Sequence, residues 1–185
     1  MPKTSTGDDL DKIADVLLEF FDNKRVIEAL DKVHKFGVSG WEKWWQVELA
    51  LFLSHADEKI AEWDMEHPFD TDRRTKLAQT RISLDIGFRL KRYAKDHWYF
   101  VELKQADDYR VCIDRMCKDA KKVFSARIQS FDGLSVRYIA CAGVFHGVGE
   151  KEVEDYLDEA TDREDIELDG FYYENLCEGY KLLVF

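Results

Sequence analysis

Asp85, Glu102 and Lys104 are charged residues set inside apolar, β-prone runs. The runs are Ile82-Ser83-Leu84-Asp85-Ile86-Gly87-Phe88 and Trp98-Tyr99-Phe100-Val101-Glu102-Leu103-Lys104. Placing an acid among apolar strand residues costs desolvation energy unless the acid does chemistry or has a partner. Two such acids on neighbouring strands, with a lysine two residues after the second, suit metal-assisted cleavage of a phosphodiester. The plainer reading is a surface ion pair between Glu102 and Lys104 in a hairpin of another register.

Strand geometry favours the first reading. Glu102 and Lys104 share a face because side chains alternate along a strand. A hairpin turn centred between Tyr93 and Ala94 pairs residues whose numbers sum to 187, which sets Asp85 opposite Glu102. Directly opposed residues have β-carbons about 4.5–5.5 Å apart. Carboxylates that close repel unless a cation lies between them, and a hard divalent ion with oxygen ligands answers that need. Mg²⁺ is the expected ion, with Mn²⁺ able to substitute. Such an ion acidifies water and stabilises charge on a phosphoryl oxygen. Lys104 beside it could orient and deprotonate the attacking water, or neutralise charge on the phosphate.

The elements that must position these residues can be read from hydrophobic spacing. Residues 8–36 predict helix, with Asn23 a break between two segments. Residues 37–40 form a loop. Ser39 and Glu42 have capping-box spacing, which predicts a helix from Gly40 or Trp41 to His55. That helix is apolar almost all round and so should be buried. Residues 60–67 predict a strand, and 67–79 a polar, basic connection or irregular strand. Strands follow at 80–90 and 97–105, then a helix from Asp107 to Arg127 and a strand from Ser135 to Phe145. An acidic helix at 149–160 and a hairpin of 170–173 with 180–185 complete the chain. Glu48 lies mid-helix among Trp44, Trp45, Val47, Leu51 and Phe52, where an unpaired carboxylate would cost several kcal/mol. It belongs to the site, or it snorkels to the helix edge or pairs with an arginine.

This order of elements, with an acid on the strand of Asp85 and Glu102-Leu103-Lys104 on the next, resembles the PD-(D/E)XK nuclease superfamily. The resemblance covers residues 40–146, about three fifths of the chain, and Leu84 stands where the motif's name has proline. It implies an α/β (α+β) restriction-endonuclease-like core, a mixed central sheet with helices on both faces. Residues 8–36 would be an N-terminal helical extension, and 147–185 an acidic C-terminal extension of helix plus hairpin, all within one domain, 1–185. It further implies that Asp85 and Glu102 hold Mg²⁺, that the main-chain carbonyl of Leu103 is a further ligand, that Glu48 completes the site, and that Lys104 assists the water.

Charge is distributed to match. The net charge of −11 alone argues against a nucleic-acid binder. Yet residues 73–127, which hold the candidate site, carry 15 basic and 7 acidic residues, against 8 and 17 in residues 1–72 and 2 and 13 in residues 150–178. Arg73, Arg74, Lys76 and Arg81 before the Asp85 strand, and Lys118, Lys121 and Lys122 on the following helix, could track a phosphate backbone. Gln105 could touch the scissile phosphate. The expected partner is nucleic acid, DNA first. The acidic regions also suit a protein partner, and the N-terminal helices a homodimer. A catalytically silent nuclease-fold protein, binding or regulating through its acidic surfaces, is the rival reading.

Other classes are disfavoured. No run reaches the 18 apolar residues of a membrane span, and residues 1–7 show no apolar stretch of signal-peptide type. Cys112, Cys117, Cys141 and Cys177 lack zinc-site spacing and are expected as reduced, mostly buried thiols of a cytoplasmic protein.

Overall fold

The computed structural model describes residues 8–70, 81–95, 97–125, 135–177 and 179–185. Leu10, Ile13, Leu17, Phe20 and Phe21 recur at helical spacing and are all buried along α1 (Asp8–Phe21). The Asn23 side chain accepts from the N–H of Arg25 at 3.0 Å and so starts α2 (Lys24–Phe36), as its capping chemistry dictates. Gly37, in the left-handed region at φ 60°, ends that helix.

Helix α3 (Glu42–His55) leads into β1 (Ile60–Asp70), β2 (Arg81–Leu90) and β3 (His97–Gln105). The α4 helix (Tyr109–Ser125) then crosses to β4 (Ser135–His146), and α5 (Glu150–Glu164), β5 (Tyr172–Cys177) and β6 (Tyr180–Val184) follow. The strand β1 continues through His67 and Pro68 to Asp70, beyond the boundary expected at His67. The expected capping box does not form. The N-cap of α3 is Trp41, with no side-chain cap, because the Glu42 carboxylate bonds elsewhere.

Among the described residues, five helices and six strands make a mixed α+β fold around one open sheet, ordered β1-β2-β3-β4-β6-β5. All neighbours are antiparallel except β3 and β4, which run parallel and are joined through α4. One face carries α1, α2 and α3 on Ile86, Phe88, Tyr99, Val101, Leu103, Ala142 and Leu182. The other carries α4 and α5, with Cys112, Ile113, Met116, Cys117, Val153 and Leu157 packed against Cys141, Phe145 and Leu183. Phe124 of α4, though apolar, is exposed.

All four cysteines are free thiols, three of them buried and Cys177 half-buried. Among the described residues no helix is long and apolar enough to cross a membrane.

Gly87 bears on the site directly. A β-carbon there would lie 2.4 Å from a ring carbon of Phe100, its partner on β3. Phe100 is fully buried and packs edge-on against Phe69 and stacked on Trp98, so the ring has nowhere to go. The absent side chain at 87 lets β2 and β3 close over an aromatic ring immediately before the two acids.

Candidate active site

The β2–β3 ladder pairs Phe88 with Tyr99, Gly87 with Phe100 and Ile86 with Val101, so the paired numbers sum to 187 as expected. It ends there, one residue short of Asp85 and Glu102. Past that point β2 remains paired with β1 (Leu84 with His67) and β3 with β4 (Leu103 with Ala142). The sheet therefore forks, and backbone groups inside the fork need new partners. Asp85 Oδ2 accepts the N–H of Leu103 at 2.8 Å. Gln46 Nε2, from α3, donates to the main-chain carbonyl of Asp85 at 2.8 Å. Two side chains thus stand in for ladder bonds and fix Asp85 at both ends of the residue.

Gln46 is 2% exposed, and its Oε1 accepts from Lys43 Nζ at 2.6 Å. Gln46→Ala leaves a buried carbonyl without a donor and is expected to destabilise the protein by about 1–3 kcal/mol. The check is urea denaturation in EDTA; an unchanged midpoint would show that Gln46 does not hold the fork.

Lys104 is the hub of the polar cluster. Its Nζ lies 2.9 Å from Asp119 Oδ2 on α4, 3.0 Å from the carbonyl oxygen of Leu103 and 3.3 Å from Glu102 Oε1. Its side chain is 12% exposed and that of Glu102 13%. Burial alone would lower the lysine's pKa. The surrounding charges of Glu102, Asp119 and Glu42 outweigh it and hold the ammonium above its ordinary range.

The acids respond in the opposite sense. Burial, then the charge of Asp85, raises Glu102 to about 7 against the partial relief from Lys104. Burial also raises Asp85, with the Leu103 N–H and Lys104 pulling the other way. Glu102 Oε2 is a buried oxygen with no hydrogen-bond partner among the described groups. An oxygen in that state, beside a second acid, fits a proton or a hard cation.

The other expected site residues are distributed differently. Glu48 does not join the acids: it pairs with Arg25 of α2. The reason is helical phase. At 100° per residue, Glu48 lies some 160° around α3 from Gln46, and Gln46, Leu49 and Leu53 form the buried face. Leu103 contributes its carbonyl to Lys104 Nζ. Gln105 is buried and structural: its N–H donates to Glu42 at 3.0 Å, and its Oε1 accepts from the N–H of Gly40 at 3.2 Å.

Lys121 pairs with Glu164 of α5 at 3.1 Å and so belongs to the helix–helix contact. Lys118 is exposed and Lys122 half-buried on α4, and Arg81 is exposed at the start of β2. Arg73, Arg74 and Lys76 lie outside the described residues. Gln46, Asp119 and Glu42 were not among the expected site residues. The stripe 42, 46, 49 and 53 carries a helical signal for the first and last of these three, whereas Asp119 reaches Lys104 only through tertiary packing.

Among the described residues no group of three or more His, Cys, Asp or Glu side chains has metal-holding geometry. The polar cluster at the fork is built on a pair of carboxylates, Asp85 and Glu102, with Lys104 at its edge. No family model, curated protein or solved structure matches the chain.

Proposed function

We propose that the protein is a Mg²⁺-dependent nuclease of restriction-endonuclease-like fold that hydrolyses phosphodiester bonds, DNA being the substrate to test first. The observation that carries this reading is the fork. It puts a buried, partnerless carboxylate oxygen of Glu102 beside Asp85, with the ammonium of Lys104 on the same strand face. Asp85 and Glu102 would hold the ion, with water completing its shell, since Mg²⁺ keeps several waters. When bound, it supplies Lewis acidity towards a phosphoryl oxygen and acidifies water.

The chain's own residues do the rest. Lys104 Nζ, kept protonated by Glu102 and Asp119, serves as a fixed positive charge for the phosphate rather than as a proton acceptor. Asp119 holds that charge in place from α4. Gln46 and the Leu103 N–H keep Asp85 aimed.

The test is cleavage of plasmid and single-stranded DNA with Mg²⁺ or Mn²⁺. The wild type should cut, and Asp85→Ala and Lys104→Ala should cut far more slowly. Equal activity in all three would overturn the assignment.

A second reading is favoured by the run of acids along α5. In it the protein keeps the fold without turnover and binds a partner through surfaces such as acidic α5. A wild type that cuts no DNA and binds no Mg²⁺ by calorimetry would select it.

A further inference from the structure

One helix borders the proposed site. Asp119 on α4 reaches Lys104, and Arg115 Nη1, one turn earlier, reaches the carbonyl oxygen of Gln105 at 3.4 Å. Arg115 also lines a cleft of about 680 Å³ between the start of α3 and the start of α4, with Lys43 and Glu42 on the α3 side and Gln105 in its floor.

The phase of α4 matters here. Residues 111, 115, 118 and 122 fall within an arc of about 60° at 100° per residue. Val111, Arg115 and Lys118 are exposed and Lys122 half-buried, while Cys112, Ile113, Met116, Cys117, Ala120 and Val123 face the sheet. Among the described residues neither Lys118 nor Lys122 has an ion-pair partner. Lys121 falls outside the arc, on the side of α5, and is neutralised by Glu164. Three cations are thus aligned on the one stripe of the helix that runs beside Lys104.

We infer that one strand of a nucleic acid lies along α4, its phosphates engaged by Arg115, Lys118 and Lys122. The inference rests on the nuclease reading for the direction it gives the strand, past Lys104. The dimensions agree. Arg115 to Lys122 spans about 10 Å of helix at 1.5 Å per residue. Three cations on long flexible stems over that length face a run of about two to three phosphates of one strand. The acidic end of the cleft, Asp107 and Asp108, disfavours continuation towards the start of α4 and directs the backbone along the basic stripe. Contacts of this kind read charge and spacing, not sequence.

The experiment is fluorescence anisotropy of labelled 20-mer DNA, single-stranded and duplex, in EDTA, where neither cleavage nor metal loading contributes. The Arg115→Ala/Lys118→Ala/Lys122→Ala variant should bind on the order of 10- to 100-fold more weakly than wild type. Its log–log salt slope should be shallower by about 2–3. Lys121→Ala, which removes one cation of the same helix outside the stripe, should bind within about twofold of wild type. Circular dichroism checks the fold of each variant, and alanine favours helix.

Wild-type affinity and slope in the triple variant, an equal loss in Lys121→Ala, or no DNA binding by the wild type would each overturn the inference. Binding through the stripe by a wild type that cuts nothing in Mg²⁺ would sustain it and overturn the nuclease reading instead.

Discussion

Lys104→Ala is expected to lower DNA cleavage about 100- to 1000-fold, the loss typical when a single preorganised positive or hydrogen-bonding group facing a developing oxyanion is removed. The lysine is unusually well held for such a role. Three oxygens, from Glu102, Leu103 and Asp119, fix Nζ before any substrate arrives, so little reorganisation accompanies the reaction. The same substitution removes a positive charge that restrains the pKa of Glu102, which would weaken metal binding near neutral pH. Rates should therefore be compared above about pH 8 and at saturating Mg²⁺, where Glu102 is ionised in the wild type. Mg²⁺ binding by calorimetry should persist there while turnover falls. Undiminished turnover under those conditions would remove Lys104 from the chemistry.

Glu102→Gln is expected to stabilise the metal-free protein above about pH 7 by up to about 3 kcal/mol, at about 1.36 kcal/mol per pKa unit. The folded protein holds Glu102 at about 7, against an ordinary 4.5. Between those values the folded state keeps a proton that the unfolded chain has released. Stability is therefore fully present below about pH 4.5 and declines as pH rises through about 7, where the folded carboxyl finally ionises in its buried place. Asp85 is raised as well, so the two acids titrate as a pair with the same sign. The amide of the glutamine variant cannot ionise, and the slope should shrink to the part owed to Asp85 and other groups. Mg²⁺ should likewise restore stability to the wild type at about pH 8 and leave the glutamine variant unmoved. Urea unfolding at about pH 5.5 and about pH 8 in EDTA decides this, and identical slopes for wild type and variant would refute it.

These effects follow from a hairpin that could be read almost directly. The runs around Asp85 and Glu102 alternate as strands do, and the polar stretch between them is too short for anything but a turn, so their register followed from counting. The helix behind them was less legible. With Trp44, Trp45, Val47, Leu49, Leu51 and Phe52 nearly encircling it, α3 shows no single apolar face, and Glu48 draws attention because a carboxylate resembles chemistry more than an amide does. The structure turns Gln46 inward and hands Glu48 to Arg25. Ser39 and Glu42 carry a capping-box spacing, but the N–H of Gln105 wins the carboxylate. Gln46 and Glu42 depart from expectation for one reason: a polar side chain at the helix–sheet boundary was claimed by a backbone group brought from elsewhere in the chain. Asp119 was hidden for a related one, since its partner Lys104 lies across the β3–α4 packing.

The early end of the β2–β3 ladder also leaves a reporter in the protein. Most sheet amides point at a neutral carbonyl, whereas that of Leu103 points at a carboxylate, Asp85 Oδ2. A charged acceptor shortens and strengthens such a bond and deshields its proton. Protonation of Asp85, or sharing of its charge with a cation, should therefore move one backbone NMR resonance and alter its exchange with solvent. Leu103 is buried on the opposite sheet face, and its side chain takes no direct part in the chemistry. Its amide signal nevertheless offers a titration curve for the centre of the fork, in the folded protein and without a substrate.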